Sequence, residues 1–90
     1  MRFKVPVRGV HIGPTCVDGS EYELDTAAHA HTTGCTAPGW ICARSLTDLK
    51  EFLVHELAHL ASDSGHSDSW RQSVRQLGGR VPAAYKKRSR

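Results

Sequence analysis

The run from Ser45 to Ser62 constrains this chain most, because it is long and periodic enough to organise a core. Leu46, Leu49, Phe52, Leu53, Leu57 and Leu60 recur at helical spacing, which predicts an amphipathic α-helix with one face packed on a sheet. Ser45 with Asp48 three residues on resembles a capping box in which Asp replaces the usual Glu or Gln, and the acid suits the positive helix end. Asp63-Ser64-Gly65 is the expected stop. A second helix is predicted from Ser67 or Asp68, turning Trp70, Val74 and Leu77 inward and ending at Gly78-Gly79. Trp40 and Trp70 read as core anchors, since a small domain needs large apolar area.

With 90 residues, the chain has room for one core, and a domain of this size buries only about 60 to 65% of its unfolded surface. Residues 1–85 are expected to form that single domain, with 86–90 as a basic tail. Upstream of the helix, Phe3 to Val10 is β-rich, but Pro6 demotes it to an edge strand or an irregular extended piece. A hairpin around Asp18-Gly19 is predicted to lead into a half-exposed strand at Glu21–Asp25. Thr26 to His31 is ambiguous between strand and short helix, and Gly39 to Ala43 reads as a further strand. The expected fold class is therefore α+β: about three short strands packed on the first helix, followed by a second helix. No apolar run approaches the roughly 18 to 20 residues that cross a bilayer, and Met1 to Pro6 lacks a signal-peptide core. The expectation is a cytoplasmic protein without a membrane partner.

The polar face of the first helix carries the chemistry. His55 and His59, at i and i+4, project from one side about 6 Å apart, a spacing suited to grasping one ion. Glu56 lies beside them, where a carboxylate can reach water without ligating the metal. Catalytic zinc takes three protein ligands. The third could be His66, Asp63 or Asp68; imidazole suits zinc, and Gly65 gives the backbone freedom to swing His66 back, so His66 is favoured. Burying two imidazoles and a carboxylate together without a partner costs several kcal/mol, which a bound ion would reverse.

Other residues carry weaker signals. Cys16, Cys35 and Cys42 are odd in number and lack C-x-x-C spacing, which argues against a disulfide framework or a zinc ribbon; they read as reduced, small apolar packers. His29 and His31 fall on the same side of a strand and could form a lesser metal site or stabilise an oxyanion, although surface decoration is the simpler reading. His11 has no evident partner. Charge is split: residues 1–65 hold five Lys/Arg against eight Asp/Glu, and residues 66–90 hold seven against one. The basic end could attract nucleic acid or serve only for solubility.

Taken together, His55-Glu56-Leu57-Ala58-His59, Gly65-His66, Trp70 and Leu77-Gly78-Gly79 resemble the SprT-like and WLM metallopeptidases, over residues 45–82. The resemblance implies a zincin-type fold, one catalytic Zn2+ held by His55, His59 and His66, and Glu56 as general base in peptide hydrolysis. It further implies that Trp70 takes the place of the family's packing aromatic. Ser67 stands where a Gly often follows the third His, the spacing from His59 to His66 is short, and the zinc ribbon common in that family is absent. Metzincins fit less well, since Ser62 and Gly65 occupy the positions of their Gly and third His. The expected function is thus a zinc endopeptidase acting on a protein or peptide substrate. The alternative is a zinc-stapled, non-catalytic module that contacts nucleic acid or protein through its basic end.

Overall fold

Ser45 caps the first helix as its spacing predicts: its backbone is extended, and its hydroxyl accepts from the Asp48 amide at 3.1 Å. In the computed structural model, which describes residues 3–82, helix α1 runs Leu46–Ser62 and helix α2 runs Asp68–Gln76. Three strands precede them, β1 (Gly9–Ile12), β2 (Ala28–Ala30) and β3 (Trp40–Ala43), giving a small α+β fold. The basic tail at 86–90 lies outside the described residues. Among those residues no helix is long and apolar enough to cross a membrane.

The sheet order is β1-β3-β2, with β1 parallel and β2 antiparallel to β3. Because β3 is central, Ile41, Cys42 and Ala43 are fully buried. Successive strand residues point to opposite faces. Ile41 joins Leu60 and Val5 in a core that also takes in Phe3, Ala30, Leu49, Leu53 and Leu57. Cys42 therefore faces away from α1, and the register sets His29 beside it. A second core, between the helices, is built from Ala58, Trp70, Val74 and Val81 with Val54 and Leu77. Helix α1 is the shared wall of both.

Backbone hydrogen bonds tie the amino-terminal segment to the end of α1: the Lys4 and Val5 amides reach the Ala61 and Leu60 carbonyls at 3.2 and 3.0 Å. These carbonyls belong to the last turn of a helix, which has no partners of its own for them. Gly9 is required by its neighbour, since a Cβ there would lie 2.7 Å from the Trp40 ring. Gly78 closes α2 with φ of 83°, a left-handed conformation that glycine accepts without strain.

The stretch around Pro6 is irregular, as one of the two sequence readings has it, and leads into β1, an edge strand that runs on past Val10 to Ile12. Several expectations are corrected. Glu21–Asp25 forms no strand; a single bridge joins Thr15 to Glu21, and Leu24, 94% exposed, has no surface to pack on. The turn at Asp18-Gly19 exists, with the Gly19 amide on the Cys16 carbonyl at 2.9 Å, but no ladder extends from it. The ambiguous segment resolves into β2. Leu46, at the helix end beyond the sheet, is 54% exposed instead of packed. Phe52 sits outside the apolar arc and lines a cleft. Trp40 is half-buried, whereas Trp70 is fully so.

Truncating the same side chain at the two ends of α1 tests this arrangement. Leu60→Ala should destabilise by about 2–5 kcal/mol, and Leu46→Ala should change stability by no more than about 0.5 kcal/mol. Urea denaturation followed by circular dichroism measures both, and equal losses would mean that the helix packs differently.

Candidate metal centre and cleft

The polar arc of α1 faces a cleft of about 790 Å³ between α1 and β2, walled by Ala28, Ala30, Glu56, His59, His66 and Trp70 among others. An α-helix advances about 100° per residue. His55 and His59 therefore lie close together, and Glu56 falls a further step round, at the border of the arc that packs on the sheet. That position explains its burial: Glu56 is 5% exposed, and burial pushes its carboxyl up to about 7.

The turn after α1 brings His66 back to the other two imidazoles. The sharp reversal falls at Asp63, whose φ of 50° is left-handed, and not at Gly65 as the sequence suggested. Asp63 accepts from the Thr33 amide at 3.0 Å and from its hydroxyl at 2.7 Å, so its carboxylate is directed away from the imidazoles. Those two bonds hold it below the usual carboxylate range. Serines brace the rest: Ser62 donates to the Ala58 carbonyl at 2.8 Å, and the Ser64 hydroxyl lies 2.8 Å from that of Ser62 and 2.7 Å from that of Ser67. Ser67 also caps α2, accepting from the Trp70 amide at 3.2 Å. Arg71 donates to the His66 carbonyl at 2.8 Å and pairs with Asp68, the other candidate carboxylate, which like Asp63 is not part of the close three-imidazole group.

The metal-capable nitrogens of His55, His59 and His66 all lie within 4.8 Å of one another, with His66 Nε2 3.1 Å from His55 Nε2. Tetrahedral zinc with Zn–N near 2.0–2.1 Å sets two nitrogens about 3.3 Å apart, so the three rings fit one ion. His59 Nδ1 donates to the Ser64 carbonyl at 2.8 Å, leaving Nε2 with the lone pair. Burial, then the neighbouring imidazoles, lowers His55 to about 4. Burial also lowers His59 and His66, the Ser64 bond opposing it at His59 and the Arg71 charge adding to it at His66. All three are thus neutral near pH 7, the form that binds metal.

Trp70 is more than a core anchor. Its ring stands 4.8, 5.4 and 4.7 Å from those of His55, His59 and His66, and its Nε1 donates to the His55 carbonyl at 3.1 Å. One buried aromatic therefore fixes the floor of the imidazole cluster while filling the core between the helices.

The chain also contains a second group that can hold a metal, on the far face of the sheet: Cys16, His29, His31 and Cys42, a Cys2His2 set compatible with zinc. This corrects the reading of Cys16 and Cys42 as plain apolar packers and of the two histidines as surface decoration, since His31 is buried and His29 half-buried. Burial lowers His29 and pushes Cys42 up to about 11. Cys35 is exposed and stands apart. His11 has a partner after all, the Thr15 carbonyl at 3.1 Å. The same-side placement of His29 and His31 was legible in the sequence; the joining of Cys16 to Cys42 was not, because neither has a neighbouring cysteine to signal it. Comparison with family models, curated proteins and solved structures finds no match.

Replacing Trp70 by Phe removes the bond to the His55 carbonyl and part of the floor beneath the rings. This should lower stability by about 1–3 kcal/mol, measurable by urea denaturation; an unchanged midpoint would show that the indole is not held in this way.

Proposed function

We propose that this chain is a zinc-dependent peptidase of the SprT-like type, with the cleft between α1 and β2 as its active site. The observation that carries the reading is the placement of Glu56: a carboxylate buried at the cleft wall, one residue from His55 and outside the three-imidazole set. A purely structural site on this helix has no use for it, and structural zinc sites are usually closed by four ligands and rich in cysteine.

His55, His59 and His66 would hold the ion through their Nε2 or Nδ1 atoms, with His59 oriented by Ser64. Zinc bound there supplies Lewis acidity, which polarises a carbonyl and makes water more acidic. Glu56 acts as proton carrier: its carboxylate takes a proton from the attacking water and delivers it to the departing amine as the peptide C–N bond breaks. Strand β2 supplies the docking edge. Its register assigns residues 27, 29 and 31 to bonds with β3, so the backbone groups of Ala28 and Ala30 point the other way, along the cleft. An extended peptide can add to that edge as a further strand. The preferred substrate class is therefore an unfolded or extended protein segment.

Glu56→Gln tests the assignment. It should keep the zinc content of the wild-type chain while lowering cleavage of a peptide library by about 10²–10⁴-fold. Retained cleavage would remove Glu56 from the chemistry, and a wild-type protein that binds zinc and cleaves nothing would sink the peptidase reading. His66→Ala should weaken zinc retention at this cluster under dialysis against a chelator; equal retention would exclude it as the third ligand.

A further inference from the structure

We infer that Cys16, His29, His31 and Cys42 form a second, structural zinc site, which fastens the loop before β2 to the back of the sheet. The first argument is metric. Zinc–sulfur bonds of about 2.3 Å and zinc–nitrogen bonds of about 2.05 Å at tetrahedral angles separate S and S by about 3.8 Å, S and N by about 3.6 Å, and N and N by about 3.3 Å. Here Cys16 Sγ and Cys42 Sγ stand 3.8 Å apart. The sulfur-to-nitrogen separations are 3.3 Å from Cys16 to His29, 3.2 Å from Cys16 to His31 and 3.5 Å from Cys42 to His31. The two Nε2 atoms are 3.1 Å apart. These edges outline a tetrahedron of the size that one zinc ion fills, and all four ligand atoms lie within 4.8 Å of one another.

The second argument is orientation. His31 Nδ1 donates to the Thr36 carbonyl at 2.5 Å, which fixes the tautomer and leaves the Nε2 lone pair for the cluster. A ligating histidine almost always has its other nitrogen engaged in this way. The Tyr22 ring packs against His29 in a tilted arrangement, with centroids 5.1 Å apart and planes at 49°, and so restrains that imidazole.

The third argument is what the face would otherwise lack. Helix α1 covers only one side of the sheet, and α2 packs on α1 instead. On the back lies the irregular stretch between β1 and β2, which supplies Cys16 and forms no strand of its own. A few polar contacts hold it, including Arg44 on the Thr26 and Glu23 carbonyls at 2.6 and 2.8 Å and Thr36 on Asp18 at 2.8 Å. An ion bonded at once to that stretch, to β2 and to β3 would stand in for an apolar layer that the described residues do not supply there, as metal does in other domains too small for a full core. Four protein ligands leave no open coordination position, which makes the site structural and not catalytic.

The test does not depend on peptidase activity. Cobalt(II)-loaded full-length wild-type protein should show a thiolate-to-cobalt charge-transfer band in the near ultraviolet. The band should persist in His55→Gln/His59→Gln and vanish in Cys16→Ser/Cys42→Ser, while Cys35→Ser keeps it. Elemental analysis should find two zinc ions per wild-type chain and one in either double variant. Absence of the band in the wild-type protein overturns the site, as does a Cys16–Cys42 disulfide in protein purified with zinc. A single zinc unaffected by the cysteine substitutions overturns it as well. Should the cysteine variant fail to fold, the wild-type cobalt spectrum still decides, because the helix cluster contains no sulfur.

Discussion

Everything in this domain depends on the burial of α1 against two partners at once. Leu60, Leu57 and Leu53 pack on β3 and the amino-terminal segment, Ala58 and Val54 on α2, and the arc left between these contacts is where His55, Glu56 and His59 emerge. A helix with a single apolar face would present its polar residues to open water. Here both flanks are occupied, so the polar arc becomes the floor of a cleft and its groups are desolvated. The low basicity of the imidazoles and the raised pKa of Glu56 have burial as their largest cause.

Size makes metal attractive to such a fold. Among the described residues only α1 packs on the three-stranded sheet, and α2 is engaged in closing the other side of α1. Polar groups then fall at positions where a larger domain would place aliphatic ones. On the cleft side they are three imidazoles; on the back of the sheet they are two thiols and two imidazoles. Unpartnered, such groups lose hydration without compensation, whereas coordination converts the same burial into stability. The two sets differ in what they leave open. Three ligands beside a cleft would leave a coordination position open on a bound zinc, and four ligands behind a sheet would leave none.

Much of this was legible in the sequence because helices are local. The cap at Ser45, the period of the leucines, the break after Ser62 and the second cap at Ser67 are short-range signals, and each stands where its spacing placed it. The sheet was less legible because its pairing is not local. Strand β1 pairs in parallel with β3 across a connection that contains β2, and no turn residue encodes that choice. Glu21–Asp25 misled for the opposite reason: it has strand alternation, but no neighbour is available to reward it. Phe52 and Leu46 obey the helical period yet miss the core, since period fixes the direction of a side chain and says nothing about where the partner surface ends.

The same division governs the two clusters. A helix repeats every 3.6 residues, so His55 and His59 meet at i and i+4; a strand repeats every two, so His29 and His31 meet at i and i+2. Secondary structure thus delivers a pair of ligands in each case, and the sequence displays both pairs openly. Completion is a tertiary matter. His66 arrives over a short serine-braced turn, so the helix cluster announces itself. Cys16 and Cys42 arrive from 13 residues before His29 and 11 residues after His31, along paths fixed only by the fold. Strand β2 lies between the two clusters, turning His29 and His31 to the back while its free edge lines the cleft. As a three-residue strand paired on one side only, it is held relative to Glu56 by its bonds to β3 and by Ala30 packing on α1, and a metal on the back would add a third anchor.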